Sequence, residues 1–242
     1  MKKTYQELSN FSIDIGKINV LAKTDIIALE AYLDHLESIF PEKRAICIHS
    51  QKISPKGYPI FCAGADQRER ADWSYEAILS HVAYQRAVLH RLRQSSLWVI
   101  ACVDGLALGL GVEMCLAADF VVASDKAIFA FPEKDWGIIP GAGGTAWANG
   151  WAKHRDVAQS MIQSGEKIDA QKAQWLGIVD ICAESSDFEC HLEAIMSWIK
   201  GMDSASQSEM KQRYWEKIDF KKWFTLEHEA YAQALRLKFQ QR

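Results

Sequence analysis

The segment LWVIACV (97–103) is the sequence feature that most limits the fold of this chain. All seven residues are apolar, a pattern typical of strands in sheets that are covered on both faces. Similar short runs stand at 44–49 (RAICIH) and 120–124 (FVVAS), and residues with helical spacing separate them at 24–40 and 74–94. Short buried strands that alternate with helices predict an α/β fold built from repeated β-turn-α units.

The two ends of the chain differ in character. Residues 11–20 alternate weakly between apolar and polar side chains, as in an edge strand. Residues 186–199 and most of 204–240 have helical spacing, and aromatic side chains are frequent in the last forty residues. Two interpretations of this tail stay open, namely a helical cap on the core and an oligomer interface.

Composition and charge exclude several classes of protein. The net charge of −3 over 242 residues argues against nucleic-acid binding, which needs a strongly basic surface. The longest uncharged apolar stretches are too short to span a bilayer, and the first residues lack the apolar core of a signal peptide. The six cysteines form no CxxC pair and indicate reduced thiols rather than a zinc site. We therefore expect a cytoplasmic protein without nucleic-acid, membrane or metal partners.

Two glutamates stand in apolar, glycine-rich surroundings, where a carboxylate is costly to bury without compensation. Glu113 lies in GLALGLGVEMCL (105–116), and Glu133 lies in FPEKDWGIIPGAGGT (131–145). Apolar surroundings and mutual repulsion would raise the pKa of at least one of them, as acid–base chemistry requires. The pair is therefore a candidate catalytic site.

Backbone donors are predicted close to both glutamates. A helix that begins near Leu110 has free N–H groups in its first turn, where Glu113 also falls. The small residues of IFCAGAD (60–66) let a ligand approach the backbone and offer a second N–H group. Two such groups would form an oxyanion hole, beside which two carboxylates can divide the acid–base work. An alternative stays open, in which Glu113 only caps a helix and the glycines only form turns.

The loop PGAGGT (140–145) is glycine-rich but lacks the spacing of a phosphate-binding loop. We interpret it as a tight loop that enters the next helix.

Four segments, taken in order, resemble the signature of the enoyl-CoA hydratase/isomerase, or crotonase, superfamily. They are FCAGAD (61–66), ACVDGLALGLGVEMCLAADFVVAS (101–124), FPEKDWGIIPGAGGT (131–145) and GEKIDAQKAQWLGIVD (165–180). The resemblance implies a crotonase-like ββα spiral core over residues 1–185. It also implies a helical C-terminal region over residues 186–242 that serves in trimerisation or as a cap.

The resemblance further implies an acyl thioester ligand, whose coenzyme A or phosphopantetheine arrives as part of the substrate, with no other cofactor. By position, the backbone N–H groups of Ala65 and Leu110 would hold the thioester carbonyl. Glu113 and Glu133 match the two glutamates of family members that hydrate trans-2-enoyl thioesters. We therefore expect a lyase, an enoyl-CoA hydratase of fatty acid metabolism, that forms a homotrimer or a dimer of trimers.

The resemblance also implies substrate contacts at Ala63, Asp66 and Trp136. The chain departs from the family pattern at Leu110, where glycine is common, and at the C-terminus, which lacks the usual closing segment. These departures keep two alternatives open. One is another enolate reaction (isomerase, dehydratase or decarboxylase), possibly on an acyl carrier protein in a polyketide-type pathway. The other is a weakly catalytic acyl-thioester-binding member.

Overall fold

Segment 97–103 lies at the centre of a five-stranded sheet in the computed structural model, which describes residues 9–14, 18–184 and 186–240. The strands are β1 (Ser9–Ser12), β2 (Val20–Leu21), β3 (Ala45–His49), β4 (Ile60–Cys62), β5 (Gly64–Ala65), β6 (Trp98–Val103), β7 (Leu106–Leu108), β8 (Phe120–Ser124), β9 (Ile128–Ala130), β10 (Ile168–Asp169) and β11 (Ile181–Ala183). The helices are α1 (Lys23–Ser38), α2 (Tyr75–Gln94), α3 (Leu110–Ala117), α4 (Gly144–Gly150), α5 (Arg155–Ser164), α6 (Ala170–Leu176), α7 (Phe188–Gly201), α8 (Ser204–Glu216) and α9 (Phe220–Gln240).

The strands form two larger sheets and one small pair. The five-stranded sheet has the order β1-β3-β6-β8-β11, and all of its neighbouring strands are parallel. The four-stranded sheet has the order β10-β9-β7-β4, and β2 pairs with β5. Parallel neighbours require crossover connections, which α1, α2, α3 and α6 supply. The architecture is therefore the predicted alternation of strands and helices.

The central strand β6 buries each of its faces in a different core. Its odd-numbered residues from Val99 to Val103 belong to the main core, with apolar residues of α1, α2 and α3. Its even-numbered residues from Trp98 to Cys102 pack against α7 in a second cluster. Successive side chains of a strand point to opposite faces, so an apolar run is needed to fill both cores. The prediction of a strand covered on both faces is confirmed.

Two predicted elements are revised. Residues 11–20, expected as one strand, include the end of β1 and the start of β2, and residues 15–17 lie outside the described part of the chain. The glycine-rich stretch before α3, for which a turn was the open alternative, contains β7, because Leu106–Leu108 pairs with both β4 and β9. This pairing places the first turn of α3 beside the end of β4.

The C-terminal helices pack on the core of their own chain. Lys211 of α8 pairs with Asp119 at 2.7 Å, and both side chains are buried. Tyr231 and Leu235 of α9 pack against Ile78 and Val82 of α2. These contacts make α8 and α9 a cap on the core, while trimerisation stays a prediction. Across the described residues, no helix has the length and apolar character needed to cross a membrane.

Candidate active site

Glu113 is a buried carboxylate that is held by a loop from elsewhere in the chain. It lies in the first turn of α3, which begins at Leu110 as predicted, and it is 3% exposed. Its Oε1 accepts hydrogen bonds from the backbone N–H groups of Ala142 (2.7 Å) and Gly144 (2.9 Å). Gly144 begins α4, so the free N–H groups at the start of that helix point at Glu113. The loop 140–145 therefore enters a helix, as interpreted, and its amides hold a carboxylate of this chain.

Glu133 approaches from a separate turn. It lies in the 3₁₀ turn Pro132–Trp136, and a Cβ added to Gly109 would lie 2.6 Å from its Oε1. The Glu133 side chain therefore rests against the start of α3. Its Oε2 is buried and has no hydrogen-bond partner. Burial, together with the charge of Glu113, raises the pKa of Glu133 to about 8.

The two carboxylates have different surroundings. Burial raises the pKa of Glu113, while the N–H groups of Gly144 and Ala142 and the charges of Arg86 and Arg93 oppose that rise. Glu133 lacks such donors at Oε2, and its pKa is raised to about 8. Near neutral pH this arrangement favours an ionised Glu113 beside a protonated Glu133. One group is then able to accept a proton and the other to donate one.

Two backbone segments meet beside the pair. Gly111 of α3 packs so closely on β4 that an added Cβ would lie 2.7 Å from the carbonyl oxygen of Cys62. An added Cβ on Gly64 would lie 3.3 Å from the carbonyl oxygen of Leu108. Only glycine allows this approach, which brings β5 and the start of α3 side by side.

The predicted oxyanion donors lie on these two segments. Asp66 donates its N–H to Leu21 of β2, and successive N–H groups of a strand point to opposite edges, so the N–H of Ala65 points away from β2. The N–H of Leu110 is the first of α3 and has no acceptor within the helix. The Leu110 side chain is buried in the main core, so it does not fill the space in front of its own N–H group.

The other predicted contact residues occupy the rim of the site. Ala63 is half-buried and donates its N–H to Asn19. The Asp66 carboxylate accepts from the N–H of Arg68 at 2.9 Å, so in this structure it shapes the turn after β5. Trp136 is 50% exposed and lines a cleft together with Tyr231. All three residues lie on the segments that form the site, and the hydrogen bonds given above do not join them to Glu113 or Glu133.

Three charged residues around the pair escaped prediction from the sequence. Arg86 of α2 donates to the Gly141 carbonyl at 2.9 Å and to Glu227 of α9 at 2.8 Å. Arg70, in the turn after β5, is 5% exposed and donates to Gln85 at 2.9 Å. A signal existed for Glu227, because it stands at helical spacing from the buried Tyr231. No comparable signal marked Arg70, which lies in a run of charged residues.

The described residues contain no group of three His, Cys, Asp or Glu side chains that could hold a metal ion. Proton transfer by the two carboxylates, with the nearby backbone N–H groups as donors, is the chemistry that the hydrogen bonds and the raised pKa of Glu133 support.

Comparison with known proteins identifies similar sequences. The family model described as enoyl-CoA hydratase/isomerase matches residues 43–233. The human mitochondrial methylglutaconyl-CoA hydratase is 33% identical over 189 residues, 78% of this chain and 52% of that protein. The 2,3-dehydroadipyl-CoA hydratase of Escherichia coli is 42% identical over 120 residues, 50% of this chain and 46% of that protein. The matched part of the chain spans about half the length of these relatives.

Solved structures share the fold. An enoyl-CoA hydratase from Bacillus anthracis superimposes with a TM-score of 0.73 at 27% identity, covering 92% of this chain and 84% of that one. Human enoyl coenzyme A hydratase domain-containing protein 3 has a TM-score of 0.78 at 24% identity, covering 91% and 85% of the two chains. At 24% identity, the similarity to the human protein shows a shared fold and nothing more.

Proposed function

Because this chain belongs to the enoyl-CoA hydratase/isomerase family and has its crotonase-like fold, we propose that it adds water to a trans-2-enoyl thioester. The observation that carries this proposal is the asymmetry of the two glutamates. Glu113 receives two backbone N–H groups on one oxygen, whereas Glu133 has a buried oxygen without a partner and a pKa of about 8. Hydration needs one base and one acid at the same site, and this pair supplies both.

The proposed reaction begins with the thioester carbonyl between the N–H groups of Ala65 and Leu110. These donors stabilise the negative charge that develops on the carbonyl oxygen when water attacks the double bond. The ionised Glu113 takes one proton from the water as its oxygen bonds to Cβ. The protonated Glu133 then donates a proton to Cα of the enolate. The hydroxyl and one hydrogen are thus added to the two carbons. The addition leaves Glu113 protonated and Glu133 ionised, so a proton passes from Glu113 to Glu133 before the next turnover.

Coenzyme A or phosphopantetheine would enter as part of the substrate, and the backbone around Ala63 and Ala65 would lie along it. The names of two relatives, methylglutaconyl-CoA hydratase and 2,3-dehydroadipyl-CoA hydratase, support an enoyl thioester as the substrate. We further propose a homotrimer in the cytoplasm, with an acyl carrier protein as the alternative carrier of the acyl group.

Isomerisation of a double bond is a second candidate reaction. A single carboxyl group with a pKa near 8 is able to remove a proton from one carbon and return it to another, and Glu133 has that property. A relative from Mycosarcoma maydis, 37% identical over 129 residues, is named an isomerase/hydratase. Product analysis separates the two reactions, since only hydration adds an oxygen atom.

The test is mass spectrometry of the products formed in ¹⁸O-labelled water. Enoyl thioesters of increasing length would be offered on coenzyme A and on an acyl carrier protein. We expect incorporation of one labelled oxygen by the wild type and by Glu42→Gln, a surface control. Glu113→Gln and Glu133→Gln should each lose at least ~10²-fold in rate. A product without ¹⁸O whose double bond has moved would replace hydration with isomerisation, and unchanged substrate throughout would overturn both.

A further inference from the structure

Arg70 is a buried guanidinium close to the proposed catalytic pair. It lies in the turn that follows β5, and it is 5% exposed. Its Nη2 donates to the Oε1 of Gln85 at 2.9 Å, and the Tyr231 side chain lines the same cleft as the guanidinium. Gln85 carries an uncharged amide, and burial raises the pKa of Tyr231 to about 12, so both neighbours of Arg70 are neutral. Neutral neighbours leave the positive charge of Arg70 uncompensated.

Within the described chain, no aspartate or glutamate forms an ion pair with Arg70. The carboxylates of Glu69 and Glu113 interact with its charge only at longer range. The Nε of Arg70 and the neighbouring Nε2 of Gln85 are buried donors without an acceptor. A buried charge is expensive unless an opposite charge and hydrogen bonds accompany it. Two unused donors beside an unpaired positive charge point to a missing anion.

Two other buried arginines also have donors without an acceptor, but each has partners that compensate its positive charge. Arg86 pairs with the Glu227 carboxylate at 2.8 Å. Arg93 donates to the Leu116 carbonyl at 3.1 Å and lies over three aromatic rings at 5.5–6.0 Å, which attract a cation. Arg70 has neither kind of partner and instead lines a cleft of about 230 Å³.

The position of this cleft relates it to the glutamates. Tyr231 shares the cleft with Arg70, and its ring would lie 2.7 Å from a Cβ added to Gly141. Gly141 directly precedes Ala142, which holds Glu113. Ile78, Ile138 and Leu235 supply apolar walls and Trp136 lies at the rim. The lining also includes Gln67, Arg68, Ala71 and Lys238. The cleft therefore combines apolar walls with cationic side chains, of which Arg70 is the buried one, next to the loop that positions Glu113.

We propose that Arg70, with Tyr231 and Gln85, binds a carboxylate at the far end of the acyl chain, so that the substrates are enoyl thioesters with a second carboxyl group. This inference rests on the proposed function, since it assigns the cleft to the acyl chain. A planar guanidinium suits a planar carboxylate, which can accept two parallel hydrogen bonds from it. The apolar walls match the methylene groups between the double bond and the carboxylate.

The test compares chains of equal length that differ only at their far end. Trans-glutaconyl-CoA and trans-2-pentenoyl-CoA form a five-carbon pair, and trans-2,3-dehydroadipyl-CoA and trans-2-hexenoyl-CoA form a six-carbon pair. We expect the wild type to prefer the carboxylated member of at least one pair by ~30-fold or more in kcat/KM. Arg70→Met should abolish that preference, Arg70→Lys should retain part of it, and Arg155→Met, which removes an exposed arginine, should leave it unchanged.

Two further readouts separate binding from folding and from chemistry. Arg70→Met removes an uncompensated charge and should melt no lower than the wild type, whereas a structural ion pair would leave the variant destabilised. Binding of saturated glutaryl-CoA and pentanoyl-CoA by calorimetry needs no turnover. An Arg70-dependent preference for glutaryl-CoA without any hydration would refute the proposed function but keep this inference. Hydration with no preference for carboxylated chains in the wild type, or with a preference that Arg70→Met leaves intact, would overturn it.

Discussion

Glu113 and Glu227 accept alternate backbone N–H groups along the segment 142–146, which runs from the glycine-rich loop into α4. Glu113 accepts hydrogen bonds from the N–H groups of Ala142 and Gly144, and Glu227 accepts one from Ala146 at 2.8 Å. Glu227 comes from α9, the last helix of the chain. The C-terminal helix thus supports the loop on which the proposed base depends, and the geometry of the site depends on how α9 packs.

The buried pair of Glu227 and Arg86 is expected to behave as a unit. Glu227→Leu should lower the free energy of unfolding by ~3–5 kcal/mol, because it leaves the Arg86 charge buried without its partner. The double variant Arg86→Met/Glu227→Leu should recover most of that loss. Urea unfolding of the wild type, both single variants and the double variant completes the thermodynamic cycle. Additive effects would show that the pair is not coupled.

The hydration rate is expected to fall as pH rises through about 8. Glu133 must carry a proton to donate it to Cα, and its pKa is about 8 because of burial and the charge of Glu113. Above this pH kcat/KM should decrease by about tenfold per pH unit. Stopped-flow measurements from pH 6 to 10, with a blank for spontaneous thioester hydrolysis, would show it. A rate that stays constant to pH 10 would exclude Glu133 as the acid.

The same pKa shift predicts a change in stability. A carboxyl group whose pKa is raised on folding favours the folded state fully below its unfolded pKa of 4.5, and this contribution is lost as pH rises towards 8. Glu133→Gln does not titrate and should avoid that loss. The melting temperature of the variant relative to the wild type should therefore increase between pH 4.5 and 8 and then level off. A difference that does not vary with pH would contradict the raised pKa.

Gly109→Ala is expected to abolish activity by displacing Glu133. Gly109 has a φ of +52°, and an added Cβ would lie 2.6 Å from the Oε1 of Glu133. We expect a loss of ~10²-fold in kcat, the scale associated with a displacement of about 1 Å. Gly57→Ala is the matched control, because Gly57 also has a positive φ of +82° and has open space around the added Cβ. Both variants should lose some stability, and equal activities would refute the contact.

Two substitutions of Glu113 should separate its structural role from its chemical one. Both N–H groups donate to the same oxygen, Oε1, so Glu113→Gln can keep them with its amide oxygen and should fold normally without activity. Glu113→Ala leaves the N–H groups of Ala142 and Gly144 buried without an acceptor, at ~1–3 kcal/mol each. Thermal unfolding of the two variants measures the difference. An active Glu113→Gln enzyme would rule out Glu113 as the base.

Local patterns predicted β6 and α2, because apolar runs and helical spacing report which side chains are removed from water. Glu113 and Glu133 could be selected for a related reason, since a carboxylate among glycines and apolar residues stands out within a few positions. The order of strands in the sheets and the pairing of β7 with β4 and β9 could not be predicted from spacing. They depend on contacts between segments that are far apart in the chain.

The burial of Arg70 and the ion pair that Glu227 forms with Arg86 could not be predicted from local patterns. Arg70 lies in a charged run, QRERADW, which by itself is typical of a solvated loop, and Glu227 lies on an amphipathic helix. Their burial results from the packing of α9 across α2 and the loop 140–146.

The sequence by itself therefore determined the α/β class, the family and the two carboxylates. Only the tertiary structure decided which carboxylate receives backbone hydrogen bonds and which arginine faces a cleft without a counter-ion. The physical reason is that a side chain's pKa and pairing depend on its neighbours in space, and α9 brings those neighbours from the opposite end of the chain.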